Sequence, residues 1–326
     1  MPEINRIAIY TSGGDAPGMN AAIRSVYRTA NYYDLHVYGI QRGYDGMIDD
    51  DIVLLQDDSV RNIIQRGGTI LKSARSERFK TPEGRRMAYE NLKSRDIDAL
   101  IAIGGNGTLT GASILSSEFD INIIGIPSTI DNDLNGTDFT IGFDTAVNTA
   151  VEAVDKIRDT ADSHNRLFLI EVMGRDSGFI ALHTAIASGA SAFIIPEIEY
   201  SLDQLVADLI KSMRRKKLFG LAILAEGNRL GETNEIAKLL QERIPEFDIR
   251  IAIIGHLQRG GPPSATDRLL AARLGYEAIE SLMKGHQNKM VGFINNQLNL
   301  TKFEEAILNL KKPTTYWIEM AKRLGS

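Results

Sequence analysis

Pro127-Ser128-Thr129-Ile130-Asp131-Asn132-Asp133 sets two carboxylates two residues apart, directly after the apolar run Ile121 to Ile126. Phosphoryl transfer to an alcohol needs a base for the hydroxyl proton and a hold on a divalent cation, and such a pair can divide those tasks. The plainer alternative is an Asx-type turn, which Asp and Asn favour. Glycine-rich turns bring a second chemistry. Thr11-Ser12-Gly13-Gly14-Asp15-Ala16-Pro17-Gly18 follows the run Ile7 to Ile9, and Gly104-Gly105-Asn106-Gly107-Thr108 follows Ala99 to Ile103. Glycines let backbone amides approach a phosphate, and a helix starting beyond them adds donors and positive potential. Either turn alone could simply join a strand to a helix, whereas two of them favour a polyphosphate ligand. Arg75, Arg166, Arg175, Arg250 and Arg259 stand at or near strand ends or turns. A guanidinium holds phosphate oxygens bidentately and can stabilise charge on a transferring phosphoryl group, although each singly could be a surface ion-pair partner. His256, in GHLQRGG, is either ligand-facing or packed and hydrogen-bonded.

Other nucleotide chemistries fit less well. Gly105, Gly107 and Gly111 resemble a dinucleotide fingerprint, but the next strand, INIIGIPS, ends without the acidic ribose-binding residue such a site needs. The earlier turn does not fit G-x-G-x-x-G, and no G-x-x-x-x-G-K-[ST] is present. His36, His164, His183 and His286 form no metal-ligand pattern, and the lack of Cys removes disulfide and thiolate chemistry. A formal net charge of −5 speaks against a nucleic-acid or anionic-membrane surface, so an anionic ligand must be held locally. MPEINRIAIY has no basic, then apolar, export pattern, and the apolar runs are far shorter than a membrane span. A cytoplasmic protein is expected.

The elements that position these residues follow from the apolar pattern. RIAIYTS, HVYGI, DALIAIGG, INIIGIP, RLFLIEVMG, SAFIIP, FGLAILAEG, RIAIIGH and KMVGFI read as buried strands. Helix-length segments separate most of them, with apolar spacings of three and four as in Leu202, Leu205, Val206, Leu209 and Met213. Such alternation implies an α/β fold with parallel sheets covered by helices. A chain of 326 residues exceeds what one core usually supports, so two doubly wound, Rossmann-like domains are expected. In such sheets ligands gather beyond the carboxyl ends of the strands, where SGGDAPG, GGNGT, PSTIDND, MGRDSG, AEGN and GHLQRGG all stand.

Taken in order, TSGGDAPGMNAAIR, RGGTILKSAR, GGNGT, PSTIDND, SHNR, EVMGRDSG and GHLQRGG closely resemble the bacterial ATP-dependent 6-phosphofructokinase family, along essentially the whole chain. The resemblance implies a nucleotide-binding domain of 1–140 and 254–302 and a sugar-phosphate domain of 141–253 and 303–326. It implies that ATP is held by Gly14, Arg75, Ser76, Gly105, Asn106, Gly107 and Thr108. Asp131 matches the catalytic base, and Thr129 and Arg175 match residues assisting transfer. Fructose 6-phosphate would be held by Thr129, Ile130, Asp131, Met173, Gly174, Arg175, Glu226, His256, Leu257, Gln258 and Arg259, with Arg166 and Arg250 reaching in from a neighbouring subunit of a homotetramer. Asn106 and Asp133 fall at the Mg2+ position. Arg24, Arg28, Arg158, Arg215 and Lys217 match an effector site for an ADP-like or phosphoenolpyruvate-like ligand.

Three departures from the family pattern carry expectations. Asn106 replaces a usual Asp at the metal position, which implies weakened magnesium use with retained activity. Ser128 stands where ATP-using members carry Gly and diphosphate-using members Lys, while Gly107 matches the ATP type. Asp57 and Ser191 replace a usual Arg and a usual Glu of the effector site, which implies blunted or altered effector control. The rivals are a diphosphate-dependent phosphofructokinase, a weakly catalytic sugar-phosphate-binding subunit of the same family and, more remotely, a nicotinamide oxidoreductase.

Overall fold

The computed structural model describes residues 4–161, 166–214 and 220–325. Arg215, Lys217 and His164 lie outside them. The chain forms two compact units, the first of residues 1–129, 134–144 and 260–311, the second of residues 130–133, 145–259 and 312–326.

The first stretch of the chain runs β1 (Arg6–Thr11), α1 (Met19–Tyr32), β2 (His36–Ile40), α2 (Tyr44–Ile48), β3 (Ile52–Leu54), α3 (Pro82–Ser94), β4 (Ala99–Gly104), α4 (Asn106–Glu118) and β5 (Asn122–Pro127). Next come α5 (Phe143–Ala161), β6 (Arg166–Val172), α6 (Phe179–Ser188), β7 (Ala192–Ile194), α7 (Leu202–Arg214), β8 (Gly220–Ala225), α8 (Thr233–Arg243) and β9 (Asp248–Ile253). The chain ends through α9 (Ala265–Met283), β10 (Lys289–Ile294), β11 (Gln297–Lys302), α10 (Phe303–Leu308) and α11 (Thr315–Gly325).

Unit 1 holds a seven-stranded sheet in the order β11-β10-β5-β4-β1-β2-β3. Its central strands are parallel, and the antiparallel partners β3 and β11 close its two edges. Every residue of β4 is buried, as expected of a strand covered on both faces. One core cluster gathers Tyr10, Ile40, Met47, Leu92, Leu100 and Phe303. On the same unit α1 meets α9 closely enough that a Cβ on Gly275 would sit 2.6 Å from the Ser25 Cβ, while Ser25 Oγ donates to the Ala272 carbonyl at 2.6 Å.

Unit 2 holds a four-stranded parallel sheet in the order β7-β8-β6-β9. Leu167, Leu169, Leu205, Leu209, Leu224 and Leu240 are fully buried in its core. Leu205 and Leu209 belong to the apolar stripe that the sequence lays out along α7. The nine runs read as strands all form strands, and β3 and β11 are additions to them.

Candidate active site

In unit 1 the two glycine turns meet. Parallel pairing of β1 with β4 sets Thr11 opposite Ile103, and Ser12 N–H donates to the Ile103 carbonyl at 3.3 Å. Thr108 Oγ1 then donates to the Ser12 carbonyl at 3.0 Å, tying the first turn of α4 to the end of β1. A Cβ on Gly104 would stand 2.2 Å from Thr108 Oγ1, so only glycine admits that hydroxyl. β5 joins the same edge, since Ser128 N–H donates to the Gly104 carbonyl at 2.9 Å and a Cβ on Gly105 would lie 3.3 Å from the Thr129 Cβ. Gly105 caps α4 without a side-chain hydrogen bond, and the first turn carries no acidic residue. Its amides and its positive end are therefore suited to an anion.

The segment that carries Arg75 and Ser76 is strapped to this edge. Thr11 Oγ1 donates to the Lys72 carbonyl at 2.7 Å, Ser12 Oγ meets the Ala74 carbonyl at 3.5 Å, and Ser76 Oγ donates to Asp45 Oδ1. Two residues that the sequence reading missed brace this edge, Asn20 through the segment that precedes Arg75 and Tyr44 through the first turn of α4. Asn20, buried on α1, donates from Nδ2 to the Arg66 and Gly67 carbonyls at 3.1 and 3.2 Å and accepts from Ile70 N–H at 2.7 Å. Tyr44 Oη donates to the Thr108 carbonyl at 2.6 Å and lies 2.9 Å from Tyr10 Oη. Burial pushes both phenols well above their ordinary range, which keeps them protonated as donors. Gly14, Arg75 and Gly107 are exposed, and a Cβ on Gly107 would meet nothing within 4 Å.

In unit 2, Asp131 is only 7% exposed and its carbonyl accepts from Ser177 Oγ at 2.8 Å. Ile130 is fully buried, and Asn132 takes the left-handed conformation at φ 52°. The carboxylate pair is thus joined to the turn Met173 to Gly178, which carries Arg175. Met173 N–H donates to Gln258 Oε1 at 3.1 Å, while Gly174 and Arg175 N–H both donate to Glu226 Oε1, at 3.2 and 2.8 Å. His256, Leu257, Gln258 and Arg259 share one 3-10 turn, in which Gln258 is buried and His256 and Leu257 are exposed. Among the sugar-site candidates, these bonds link Met173 directly to Gln258 and both Gly174 and Arg175 to Glu226, while Asp131 reaches the same turn through Ser177.

Arg166 and Arg250 form a separate pair. Adjacent parallel strands, β6 and β9, place Arg166 beside Asp248, and Arg250 lies two residues further on. Asp248 Oδ2 accepts from Arg166 Nε at 3.0 Å and from Arg250 Nε at 3.1 Å. Burial raises the Asp248 carboxyl, but hydrogen bonds from Arg250 and Arg166 outweigh it and hold the group below its ordinary range. Asp248 was not singled out in the sequence.

A phosphofructokinase model matches residues 6–282, and the ATP-dependent 6-phosphofructokinase of Cytophaga hutchinsonii is 50% identical over 99% of this chain and 98% of its own. The chain belongs to the phosphofructokinase family. The ATP-dependent 6-phosphofructokinase 2 of Bacteroides thetaiotaomicron, also similar, is 51% identical over 100% of both chains. Among solved structures, phosphofructokinase from Pichia pastoris in the T-state matches with TM-score 0.89 and 36% identity, over 94% of this chain and 36% of that longer one. A pyrophosphate-dependent phosphofructokinase from Marinobacter aquaeolei shares the fold, with TM-score 0.84 and 23% identity over 99% and 92% of the two chains.

The departures from the phosphofructokinase pattern have structural counterparts. Asn106 opens α4, and its Oδ1 accepts from Thr110 Oγ1 at 3.2 Å. Ser128 is fully buried and its Oγ has no hydrogen-bond partner, so the hydroxyl adds an unsatisfied polar atom to the strand end. Arg24 and Arg28 stand four apart on α1, and Arg28 Nη1 pairs with Asp57 Oδ1 at 2.7 Å. Arg158 donates to the Ser188 carbonyl. Among the described residues no helix is long and apolar enough to cross a membrane.

Proposed function

We infer that this protein moves the terminal phosphoryl group of ATP onto the 1-hydroxyl of fructose 6-phosphate, giving fructose 1,6-bisphosphate and ADP. The observation that carries the inference is identity of 50 and 51% over nearly the full length to proteins named for that reaction. In this reading unit 1 binds the nucleotide through Gly14, Arg75, Ser76 and the turn Gly105 to Thr108. Unit 2 binds the sugar phosphate through Ile130, Asp131, Met173, Gly174, Glu226, His256, Leu257, Gln258 and Arg259, aided by Thr129. Arg166 and Arg250 serve the sugar phosphate of a neighbouring copy in a homotetramer. Asp131 takes the proton from the attacking hydroxyl. Arg75, Arg175 and Thr129, with the amides of the glycine turns, stabilise charge on the phosphoryl group as it moves. Open space over Gly107 favours a nucleotide as donor.

The donor set suits Mg2+, a hard cation that takes oxygen ligands from one or two carboxylates and leaves the rest to water and phosphate. Asp133 and Asn106 would hold it, and when bound it neutralises charge on the terminal phosphates. The amide at position 106 supplies an oxygen without a charge. A coupled assay with ATP or diphosphate as donor, run across a magnesium titration for the natural protein and for Asn106→Asp, tests both points. Product forms with ATP and not with diphosphate, and Asn106→Asp reaches half-maximal rate at several-fold lower magnesium. Turnover with diphosphate alone overturns the ATP reading, and superimposable magnesium curves overturn the role of Asn106.

Effector control follows from the same electrostatics. Asp57 occupies Arg28 and places a negative charge where an anionic effector must approach, so response to ADP or phosphoenolpyruvate is blunted. The pair is exposed, worth at most about 1 kcal/mol, so Asp57→Arg should leave the melting temperature nearly unchanged. The substitution should strengthen activation by ADP at least several-fold. A strong activation curve in the natural protein would contradict the assignment.

A further inference from the structure

We propose that Glu197 is a positioning residue for the reaction, which sets the backbone of the turn Met173 to Gly178 and through it the presentation of Arg175. The proposal rests on the reading that Arg175 acts on the transferring phosphoryl group. The turn joins β6 to α6 within unit 2, and two carboxyl groups grip it from either end. Glu226, following β8, accepts from the N–H groups of Gly174 and Arg175. Glu197, following β7, accepts from Gly178 N–H through Oε1 at 2.8 Å. Between them Ser177 N–H donates to the Gly174 carbonyl at 2.9 Å, which closes the turn on itself.

This turn needs such holding. Arg175 lies at φ 51°, a left-handed conformation unfavourable to a residue with a Cβ, and such conformations persist only where the surroundings enforce them. The Arg175 carbonyl in turn comes so near Gly227 that a Cβ there would sit 1.8 Å away. The helix that follows offers no anchor of its own, because α6 begins at Gly178 with no side-chain cap and no acidic residue in its first turn. Glu197 supplies from another loop the bond to the N-cap amide that a glutamate in the third helical position would otherwise make. The fit is mutual, since a Cβ on Gly178 would fall 2.5 Å from Glu197 Oε2 and 2.4 Å from the Ile195 Cβ.

Glu197 carries a feature that a cap alone does not require. Its second carboxyl oxygen, Oε2, is buried and has no hydrogen-bond partner. Burial accordingly pushes the carboxyl above its ordinary range, against the Gly178 amide and the positive charges of Lys312 and Arg229. A group retained at that cost, on a turn already gripped by Glu226, points to placement of the turn as its purpose.

The test is steady-state kinetics of Glu197→Ala, Glu197→Gln, Arg175→Ala and the double variant Glu197→Ala/Arg175→Ala, with thermal melting recorded for each. If Arg175 engages the phosphoryl group in the transition state, a shifted turn lowers kcat by about 30- to 100-fold and leaves the KM for ATP within about threefold. Glu197→Gln, which keeps an oxygen for Gly178, should recover most of that loss, and the double variant should fall no further than Arg175→Ala alone. Natural kcat in Glu197→Ala, or a loss that adds in full to that of Arg175→Ala, overturns the proposal. Natural kcat in Arg175→Ala overturns instead the reading on which it rests. Should Glu197→Ala fail to fold, Glu197→Asp carries the same comparison, because it keeps the acid but withdraws it by one methylene. An unchanged kcat in that variant likewise counts against the proposal.

Discussion

Asp131→Ser should lower kcat by a factor of about 100 to 10,000, the usual contribution of a positioned general base. The expectation is sharp because the surroundings of Asp131 are held by other groups. Its carbonyl is fixed by Ser177 Oγ, Ile130 is buried, and Asn132 sets the bend that follows. Removing the carboxylate therefore leaves the turn in place and deletes the proton acceptor. The measurement is turnover at saturating ATP and fructose 6-phosphate, with the melting temperature as a control. KM for ATP should change little, because the groups assigned to ATP lie in unit 1. A variant that keeps turnover within threefold of the natural protein dismisses Asp131 as the base.

The second large effect is expected at Gly104. In Gly104→Ala the new methyl would lie 2.2 Å from Thr108 Oγ1, 2.7 Å from its Cβ and 2.9 Å from the Ser12 carbonyl. None of the three can retreat without breaking the bond between Thr108 and Ser12 that holds the two glycine turns together. Such overpacking costs about 1–3 kcal/mol of stability, visible as a lowered melting temperature. The functional loss is greater, since a shift of about 1 Å among groups that align a phosphate costs on the order of 100-fold in rate. kcat/KM for ATP should fall by that order. Fructose 6-phosphate binding, measured by calorimetry without nucleotide, should be retained. Natural ATP kinetics in Gly104→Ala would show that the joined turns do not bear on the nucleotide.

The strands and the chemistry at their ends were legible because both leave local marks. A strand covered on both faces must be a short apolar run, and a phosphate turn must carry glycine. β3 and β11 escaped notice for the opposite reason. β11, QLNLTK, alternates polar with apolar residues, and β3 has three residues, two of them exposed. Asn20, Tyr44, Asp248 and Glu197 were equally hidden. Asn20 holds a segment about fifty residues along the chain, and Asp248 reaches 82 residues back to Arg166. Neither residue type nor spacing announces a partner so remote. Asp57 was visible as a reversed charge, and its ion pair with Arg28 supplies the physical content of that departure.

Two guanidinium groups left side by side with no counter-ion would repel and swing apart into solvent. Around Asp248 they cannot, because one carboxylate oxygen tethers Arg166 and Arg250 at the same time. In the proposal that Arg166 and Arg250 serve a sugar phosphate, the fork would be assembled before that dianion arrives, so little side-chain freedom would be lost on capture. Acid that protonates Asp248 would loosen the fork before any ligand arrives.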